Sequence, residues 1–410
     1  MGKQFGLLGE SLKHSHSPEI HALLGDPDYK IFEVAQDKLA DFIKSREFDG
    51  LNVTIPYKRA VMPLLSKCSD TARRTGSVNT IVKKEDGKLY GYNTDVFGFS
   101  YLLDFANVKV NGKFCLVLGD GGGAAAVKLV LEALGASRIV CLTRSGKNRL
   151  DDIKSFSDAE ILINTTPVGM YPNNGEAAVS LDGLTKLEAV FDIVYNPLKT
   201  QILLDAEARG IPAFNGLPML TAQAKRSREL FLDAAIDDDV IPKLTARIAG
   251  KMLNITLICM PGCGKTAIGA ALAERLNRKV IDLDEAIVKM YGKTPADIIK
   301  LHGEQEFRRT EHVTAMWAGK RTGVIISTGG GIVTRQDNRA PLSQNGIIVF
   351  INRNISDLPL DGRPISQSTP IEELYEKRLP LYREWCDFEI ENNRSIDDAV
   401  DAILNGLSNQ

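Results

Sequence analysis

The chain has 410 residues, which favours two or three domains over one. Its 50 Lys and Arg residues nearly balance its 52 Asp and Glu residues, so no basic excess indicates nucleic acid as a partner. The N-terminus lacks an apolar signal-peptide core, and no run of 18 apolar residues occurs. The sequence therefore predicts a cytoplasmic protein with no membrane partner. It predicts no oligomeric state.

Six cysteines are spread along the chain, with neither the spacing of a zinc site nor that of a disulfide framework. Cys115, Cys141 and Cys259 lie in apolar strand-like runs. These three are therefore predicted to be buried free thiols.

Short strands and helices alternate over residues 1 to about 100, which predicts a mostly parallel sheet with helices on its faces. The predicted strands are FGLLG, KIFEVA and GLNVTIP, and helices are predicted near 18–24 and 38–45. Residues 105–215 repeat the alternation, with strands KFCLVLG, SRIVCLTR, ILINTTP, AVFDIVY and IPAFNG and helices that include stretches near 149–156 and 198–209. This second pattern is that of a doubly wound dinucleotide-binding domain.

Two longer helical stretches, Pro218 to Ala235 and Val240 to Met252, come before a second alternating unit. The predicted strands of that unit are NITLICM, KVIDLD, VIISTGGG and IIVFINR, and a final pair of helices ends it. No Pro, Ser or Gly tract lies near Gly250 and Lys251, so we expect almost no linker between the two halves.

A glycine-rich loop, residues 119–124 (GDGGGA), follows the apolar run Phe114 to Leu118 and leads into the helical stretch Ala124 to Leu134. Strand, turn and helix in this order form the setting of a dinucleotide-binding site. Asp120 is unusual, because a carboxylate next to a pyrophosphate is unfavourable unless its side chain points outward. The cofactor-binding residues predicted here are Gly119, Gly121, Gly122, Gly123 and Ala124.

The second strand of this domain ends in Thr143 and Arg144, with Lys147 and Arg149 close behind. An NAD enzyme places an acidic residue here for the ribose 2′-hydroxyl, whereas basic residues suit the 2′-phosphate of NADP. Thr143 and Arg144 are therefore predicted to bind NADP. Ordinary surface basic residues in a loop would give the same pattern.

Four other segments of the first half carry hydroxyl and amide side chains at the ends of strand-like runs. They are SHSP (15–18), NVTIPYK (52–58), GSVNT (76–80) and GYNTD (91–95). This inventory suits a polyhydroxylated, neutral-to-anionic small molecule. It also contains a Lys and an Asp for proton transfer, Lys58 and Asp95.

On these segments the first half resembles the shikimate dehydrogenase family, over about residues 4–250. The motifs NTTPVGM (164–170), DIVYNP (192–197) and GLPML (216–220) with Gln223 also carry the resemblance. It implies that Lys58 and Asp95 form the catalytic pair at the carbonyl being reduced. It also implies that the hydrogen-bond partners of the substrate ring are Ser15, Ser17, Thr54, Asn79, Asn93, Tyr195 and Gln223.

The second half opens with a glycine loop of a different chemical kind, residues 259–266 (CMPGCGKT). In such a loop the amides and a helix N-terminus cradle phosphates, the Lys reaches the terminal phosphates and the Thr binds Mg²⁺. Cys259 stands at the first glycine position, where it leaves the loop unstrained only if its φ is negative. The nucleotide-binding residues predicted here are Gly262, Cys263, Gly264, Lys265 and Thr266.

Several motifs follow this loop: DLD (282–284), GEQEFR (303–308), GGG (329–331), GRP (362–364) and RLPLY (378–382). Arginines spaced across a domain that holds an Asp-x-Asp can bind a carboxylate bidentately, although a surface salt bridge is the better explanation for any one of them alone. As a set, these motifs resemble the shikimate kinase family over about residues 253–405.

The kinase resemblance implies a role for each matching residue. Asp284 would bind the substrate hydroxyls and lie near the hydroxyl that attacks the phosphoryl group. Thr266 and Asp282 would hold Mg²⁺. Lys265 and the lid residue Arg363 would stabilise charge on the transferring phosphoryl group. The carboxylate and ring of the substrate would be bound by Arg308, Arg378, Gly329, Gly330 and Gly331.

The two resemblances name consecutive reactions on one oxygen atom, the reduction of a 3-keto group and the phosphorylation of the hydroxyl it becomes. The sequence thus predicts a bifunctional enzyme of aromatic amino-acid biosynthesis that uses NADP(H), ATP and Mg²⁺. The predicted α/β fold is a two-lobed dehydrogenase with a Rossmann-like NADP domain, followed by a P-loop NTPase-type kinase domain. The predicted boundaries are 1–104 for the substrate lobe, completed by helices at about 218–250, 105–217 for the NADP lobe and 253–410 for the kinase.

Two alternatives stay open at this point. A metabolite-sensing regulator built from the same domains predicts the loss of catalytic residues and usually an added DNA-binding segment. The second alternative is that the first half prefers quinate as substrate and NAD as cofactor, and Arg144 argues against it. The residues a regulator would have lost are all present: Lys58, Asp95, Lys265 and Asp284.

Overall fold

The computed structural model describes residues 3–12, 15–358 and 370–408. The chain falls into two compact units. The first comprises Met1–Met170, Glu176–Tyr195 and Ile202–Ala249, and the second comprises Tyr171–Gly175, Asn196–Gln201 and Gly250–Gln410. Within the described ranges, no helix is both long enough and apolar enough to cross a bilayer.

The first unit begins with a six-stranded sheet and four helices. The strands are β1 (Phe5–Gly9), β2 (Lys30–Glu33), β3 (Gly50–Val53), β4 (Lys67–Cys68), β5 (Thr80–Lys83) and β6 (Leu89–Tyr92). The helices are α1 (Ser17–Leu23), α2 (Leu39–Ser45), α3 (Asp70–Thr75) and α4 (Asp95–Phe105). The order of the strands in the sheet is β2-β1-β3-β5-β6-β4.

One strand of this sheet departs from the predicted parallel pattern. β5 runs antiparallel to both β3 and β6. A tight turn joins β5 to β6, in which the Lys84 N–H donates to the Lys88 carbonyl at 3.0 Å and Gly87 has a φ of 70°. Because so short a turn can connect only antiparallel strands, this hairpin interrupts the parallel sheet.

A five-stranded parallel sheet and four helices make up the rest of the first unit. The strands are β7 (Phe114–Leu118), β8 (Arg138–Leu142), β9 (Ile161–Asn164), β10 (Ala189–Asp192) and β11 (Ala213–Phe214), in the sheet order β11-β10-β9-β7-β8. The helices are α5 (Gly122–Ala133), α6 (Gln201–Glu207), α7 (Leu217–Leu232) and α8 (Val240–Met252). The first residue of α6 and the last three of α8 fall in the second unit.

The predicted helix near 149–156 is a 3₁₀ helix, at Leu150–Phe156. Its buried residues are Ile153 and Phe156, which lie three positions apart. That spacing places both side chains on one face of a helix with three residues per turn, so 3₁₀ geometry buries them together.

The second unit is a parallel five-stranded sheet covered by helices. The strands are β12 (Asn254–Ile258), β13 (Val280–Asp282), β14 (Ile325–Ser327), β15 (Gly346–Asn352) and β16 (Phe388–Glu391), in the sheet order β13-β14-β12-β15-β16. The helices are α9 (Lys265–Leu276), α10 (Leu283–Tyr291), α11 (Pro295–His302), α12 (Glu304–Gly319), α13 (Arg339–Ser343), α14 (Ile371–Trp385) and α15 (Ile396–Ser408). Three sheets flanked by helices confirm the predicted α/β class. The short edge strand β16, which lies between the final two helices, was not predicted.

The expectation of three buried free thiols is partly wrong. Cys115 is free and buried, and burial raises the pKa of its thiol to about 12. Cys141 is free but only half-buried, because its strand β8 lies at the edge of the sheet. Cys259, however, forms a disulfide with Cys263. The loop after β12 turns back on itself and brings the two Cα atoms to 6.4 Å, within the range that a disulfide spans.

Candidate active sites

Strand ends of the first sheet bring the predicted substrate residues to one edge. β1 and β3 are parallel neighbours, so the segments that follow them, with Ser15 and Thr54, leave the sheet on the same side. Asn79 precedes the antiparallel β5, and its carbonyl accepts the Val53 N–H at 2.8 Å. The sheet topology thus gathers residues that are far apart in the sequence.

Lys58 and Asp95 form an ion pair at this edge, with Nζ 2.7 Å from Oδ2. The Asp95 side chain is only 4 % exposed and that of Lys58 is 24 % exposed. Asp95 is the first residue of α4, and its backbone N–H donates to the Asn93 Oδ1 at 3.0 Å. A buried carboxylate at a helix N-terminus is favoured by the helix dipole and fixes the direction of the ammonium.

Asn79 connects this ion pair to α7. Its amide nitrogen donates to the second oxygen of Asp95 at 3.0 Å and to the Gln223 Oε1 at 3.1 Å. Its amide oxygen accepts the Thr94 N–H at 2.8 Å. The structure therefore places four predicted residues in one hydrogen-bonded network: Lys58, Asp95, Asn79 and Gln223.

The other predicted substrate residues lie around this network with local partners. The amide nitrogen of Asn93 donates to the Ser77 hydroxyl at 2.8 Å and to the Thr75 hydroxyl at 3.0 Å. Asn93 thus orients the loop that carries Ser77. The Ser15 hydroxyl accepts the Ser17 N–H at 3.2 Å. The ring of Tyr195 lies 6.3 Å from that of His16, and burial raises the pKa of Tyr195.

The first glycine loop lies at the carboxyl end of β7 and opens α5. Gly119 has a φ of 109°, and a Cβ there would meet the Thr165 hydroxyl at 2.8 Å. A Cβ on Gly122 would lie 3.3 Å from the Ser77 hydroxyl and 3.9 Å from the Lys58 side chain. The loop therefore passes directly beside the predicted catalytic lysine. Asp120 is exposed. This agrees with the expectation that its side chain points outward, away from a bound pyrophosphate.

The loop after β8 presents its basic residues to solvent. The Thr143 hydroxyl accepts the Gly146 N–H at 2.7 Å, and the Thr143 N–H donates to the Asn148 carbonyl at 3.0 Å. These bonds close a tight loop directly after β8, in which Arg144 is exposed. An exposed guanidinium at this place is accessible to a 2′-phosphate.

In the second unit, the phosphate loop and the downstream motifs line one cavity of about 630 Å³. This volume lies within the range of small-molecule sites. Gly262 and Gly264 have φ values of 92° and 90°, and Lys265 begins α9. Cys259 is not among the non-glycine residues with a positive φ, so its side chain is accommodated without backbone strain. The predicted kinase residues that line the cavity are Gly262, Cys263, Gly264, Lys265, Thr266, Asp282, Asp284, Arg308, Gly329, Gly330, Gly331 and Arg378.

Asp282 is held by bonds to both of its carboxylate oxygens. Oδ1 accepts the backbone N–H groups of Asp284 and Glu285 at 3.0 and 3.3 Å, which caps α10. Oδ2 accepts the Ser327 hydroxyl at 3.0 Å. The cap also fixes the backbone at Asp284, whose exposed side chain lines the cavity.

Arg308 is fixed by two carboxylates of its own helix, α12. Its guanidinium lies 2.8 Å from Glu311 and 3.0 Å from Glu304. Glu311 is 1 % exposed, and burial raises its pKa, with Asp284 adding to the rise and Arg308 opposing it. Among the residues that the structure describes, none forms a hydrogen bond with the second oxygen of Glu311. The sequence interpretation missed Glu311, because an Arg and a Glu three positions apart on a helix usually form an exposed pair.

The three glycines after β14 are required by close neighbours. A Cβ would lie 2.7 Å from the Glu311 Oε1 if placed on Gly329, and 2.3 Å from the Arg308 guanidinium if placed on Gly331. The carbonyl of Gly330 accepts hydrogen bonds from the buried Arg378 at 3.4 Å and from the Tyr382 hydroxyl. The glycine motif thus lets functional side chains reach the cavity floor.

The structure describes one of two arginines that could lie near the nucleotide. The predicted lid residue Arg363 lies outside the described residues. Arg353 follows β15, and its guanidinium would lie 3.9 Å from a Cβ on Gly264. Arg353 therefore borders the phosphate loop. In the ranges that the structure describes, no group of three or more His, Cys, Asp or Glu residues is arranged to hold a metal ion by itself.

Comparisons with known proteins agree with both family resemblances. Residues 7–81 match the family model described as shikimate dehydrogenase substrate binding domain. A protein of Clostridium perfringens described as shikimate dehydrogenase (NADP(+)) is 38 % identical over 270 residues, which cover 60 % of this chain and 99 % of the relative. The chain belongs to the shikimate dehydrogenase family. Residues 261–408 match the shikimate kinase family model, so this family member also carries a shikimate kinase domain.

Solved structures share the fold of the dehydrogenase portion. A chorismate mutase/shikimate 5-dehydrogenase fusion protein from Clostridium acetobutylicum has a TM-score of 0.57 and 36 % identity, covering 60 % of this chain and 98 % of that one. The Thermus thermophilus shikimate 5-dehydrogenase, solved with NADP(H) and shikimate, has a TM-score of 0.54 and 30 % identity, covering 60 % and 99 %. This chain is accordingly an NADP-dependent oxidoreductase joined to an ATP- and Mg²⁺-dependent kinase, a bifunctional enzyme of the shikimate pathway.

The Glu311–Arg308 pair leads to a prediction for the shikimate kinase reaction. Glu311→Gln removes the charge that fixes Arg308, so the KM for shikimate should rise about tenfold while kcat changes little. Steady-state kinase assays with varied shikimate measure this. The matched control is Glu306→Gln, an exposed residue of the same helix that pairs with Arg309 at 3.4 Å. Equal KM values for shikimate in the two variants would contradict the role of Glu311 in fixing Arg308.

The same pair predicts a pH dependence. Burial raises the pKa of Glu311 above the ordinary value of 4.5. As the pH falls through this raised pKa, the carboxylate is neutralised and Arg308 loses its ionised partner, so the KM for shikimate should rise on acidification. Because the substituted amide cannot titrate, Glu311→Gln should lack this acid limb. An identical acid limb in the variant and the wild type would contradict the assignment.

Proposed function

We propose that the chain catalyses NADPH-dependent reduction of 3-dehydroshikimate to shikimate, followed by ATP-dependent phosphorylation of shikimate to shikimate 3-phosphate. The single observation that carries the proposal is that each unit brings distant candidate residues together. Lys58 and Asp95 are paired beside the first glycine loop, and one cavity of the second unit is lined by the phosphate loop together with Asp284, Arg308 and Arg378. The product of the first reaction is the substrate of the second.

In the reduction, Lys58 provides the proton. NADPH, when bound, supplies the hydride. The ammonium of Lys58, oriented by Asp95 at 2.7 Å, polarises the carbonyl and donates a proton to its oxygen as negative charge develops there. Asn79 holds the second oxygen of Asp95 at 3.0 Å, so the carboxylate cannot rotate away from the lysine.

The residues around this pair fit a ring with several hydroxyl groups. Hydroxyl and amide side chains can each donate to and accept from ring hydroxyls. Gln223 is held by Asn79 at 3.1 Å, so its position relative to the catalytic pair is fixed. The proposed ring contacts are those predicted from the sequence: Ser15, Ser17, Thr54, Asn79, Asn93, Tyr195 and Gln223.

NADP fits the first glycine loop and the loop after β8. Gly119 has a positive φ, which disfavours a side chain there, and a Cβ on Gly122 would lie 3.3 Å from the Ser77 hydroxyl. A pyrophosphate bound at this loop would face the N-terminus of α5. We propose that Thr143 and Arg144 bind the 2′-phosphate.

This cofactor assignment predicts the effect of removing the guanidinium. In Arg144→Ala the KM for NADPH should rise about tenfold and that for NADH should stay unchanged, because only NADPH carries the 2′-phosphate. Initial rates with each cofactor measure this. The control is Lys186→Ala, an exposed basic residue of the same unit. Faster turnover by the wild type with NADH than with NADPH, as the quinate alternative predicts, would overturn the assignment.

In the kinase reaction, Asp284 orients the 3-hydroxyl of shikimate and accepts its proton. Arg308 and the buried Arg378 bind the carboxylate, and the glycines 329–331 border the ring. ATP supplies the phosphoryl group. Lys265, joined by the predicted lid residue Arg363, stabilises the charge on that group as it transfers.

Mg²⁺ fits between the phosphate loop and β13. Thr266 and Asp282 both line the cavity, and a hydroxyl and a carboxylate are ligand types that Mg²⁺ prefers. Both oxygens of Asp282 already accept hydrogen bonds, which favours contact through a water molecule. The ion neutralises phosphate charge when bound.

The regulator alternative has no support from the comparisons, and the formed Lys58–Asp95 pair argues for a catalytic role. We propose the cytoplasm as the site of action, because NADPH, ATP and the small-molecule substrates are available there. We also propose the boundaries 1–104 with about 218–250, 105–217, and 253–410 for the two dehydrogenase lobes and the kinase.

A further inference from the structure

The phosphate loop contains a cross-link that the two reactions do not use. Cys259 directly follows β12, Cys263 lies two residues before α9, and their sulfur atoms are bonded. Both residues line the kinase cavity, yet their exposed fractions are only 2 % and 1 %. The other four cysteines are free.

We propose that Cys259 and Cys263 form a reversible thiol–disulfide switch, and that closing it weakens ATP binding. A small-molecule disulfide such as glutathione disulfide is the oxidant. The inference rests on the ATP-dependent kinase activity of this unit. Disulfides of cytoplasmic proteins are mostly transient and redox-sensing, which agrees with a regulatory rather than a structural bond.

The closed disulfide restricts the loop at three points. The Cys263 N–H donates to the Met260 carbonyl at 3.3 Å, so this donor is committed to a turn inside the cross-linked segment rather than left for a phosphate oxygen. The Cys259 carbonyl accepts the Tyr382 hydroxyl at 2.9 Å, and the Cys263 carbonyl accepts the Asn392 amide at 2.6 Å. With both ends anchored and bonded to each other, the segment cannot widen around a triphosphate.

Reduction removes the restriction. Bonded sulfur atoms are about 2.05 Å apart, whereas unbonded heavy atoms approach to only about 3.5–4.0 Å. Breaking the bond therefore moves the two side chains apart by more than an ångström. Gly262 and Gly264, which flank Cys263 with φ values of 92° and 90°, give the backbone the freedom to follow. The loop amides can then adapt to the phosphates.

The chemistry is ordinary thiol–disulfide exchange. The Cys263 thiol loses its proton, and the resulting thiolate attacks one sulfur of glutathione disulfide and releases one glutathione. The thiol of Cys259 loses its proton and attacks the Cys263 sulfur of the mixed disulfide, releasing the second glutathione. Two protein thiols are oxidised by two electrons, and the small disulfide is reduced to two thiols that take up the two protons.

Binding and redox state are thermodynamically linked at this loop. If closing the disulfide weakens ATP binding by some factor, bound ATP must disfavour closure by the same factor. We expect the Kd for ATP to be at least about tenfold higher in the oxidised chain. Saturating ATP should therefore shift the thiol–disulfide equilibrium of this pair toward the thiols by at least the same factor.

The test uses the full chain equilibrated in glutathione buffers of graded composition, with and without ATP. Iodoacetamide trapping and mass spectrometry give the reduced fraction of the peptide that contains both cysteines, and calorimetry gives the Kd for ATP in the fully reduced and fully oxidised chains. Dehydrogenase activity in the same samples is the internal control and should not respond. Cys263→Ser should abolish the redox response of ATP affinity, and Cys386→Ser, which removes a free thiol of the same unit, should retain it.

Equal Kd values in the two redox states, tighter ATP binding in the oxidised chain, or a redox response that survives in Cys263→Ser would each overturn the proposal. Failure of the proposed kinase function is distinguishable, because phosphorylation of shikimate by the reduced chain is measured separately from ATP affinity. A chain that binds ATP in a redox-dependent way but forms no shikimate 3-phosphate would retain the switch and refute the function.

Discussion

Lys58→Ala should slow the reduction of 3-dehydroshikimate by about 10³-fold at saturating substrate, because one residue supplies both the proton and the positive charge at the developing alkoxide. The KM for NADPH should change little, since the glycine loop and the loop after β8 hold the cofactor. Absorbance at the NADPH band in steady-state assays measures both parameters. Shikimate kinase activity of the same preparation should equal that of the wild type, which verifies that the second unit is folded.

Two further variants sharpen this prediction. Asp95→Asn keeps the shape of the partner but removes the charge 2.7 Å from the Lys58 ammonium, so it should lower the turnover rate by about 10²-fold, less than the loss of the lysine itself. Lys88→Ala removes an exposed lysine that pairs with Asp86 and should have no effect. A Lys58→Ala enzyme that reduces the substrate within about tenfold of the wild-type rate would contradict the catalytic role.

Lys265→Ala should lower the catalytic efficiency of shikimate phosphorylation by about 10³-fold, because it removes the cation that stabilises charge on the transferring phosphoryl group. The residue begins α9 between Gly264 and Thr266, so its loss leaves the loop backbone intact. Coupled detection of ADP measures the rate, and the dehydrogenase rate should be unchanged.

Lys289→Ala is the matched control for this variant, because Lys289 is an exposed lysine of α10 that pairs with Glu285 at 3.9 Å. Its kinase rate should equal that of the wild type. Wild-type phosphorylation by Lys265→Ala would refute the assignment of the phosphate loop, and loss of dehydrogenase activity in this variant would refute the independence of the two reactions.

Both glycine loops could be predicted from the sequence because their chemistry restricts residue type locally. Phosphate-binding backbone needs positive φ or a missing side chain, and this requirement is visible at Gly119, Gly262 and Gly264. A strand before and a helix after each loop then fix its place in an α/β sheet. The residue inventory already offered Lys58 and Asp95 for proton transfer, but the two residues are 37 positions apart, so only the family resemblance implied that they form a pair.

Other features depend on tertiary packing and leave little trace in the sequence. Glu311 has the spacing of one half of an exposed helical pair, whereas in the structure it is 1 % exposed and lines the cavity. The β5–β6 hairpin consists of short strands, and its one sequence signal is the turn dipeptide Asp86-Gly87. The Cys259–Cys263 bond depends on the path of the loop between them, which a separation of 4 positions does not specify.

The most direct test of the central claim is a single-chain conversion. Purified wild-type protein is mixed with 3-dehydroshikimate, NADPH and Mg·ATP under reducing conditions, and the products are identified by mass spectrometry. We predict that shikimate 3-phosphate forms with one NADPH oxidised and one ATP consumed per molecule, and that shikimate accumulates when ATP is left out. Formation of shikimate without its phosphate in the complete mixture, or no oxidation of NADPH, would contradict the account.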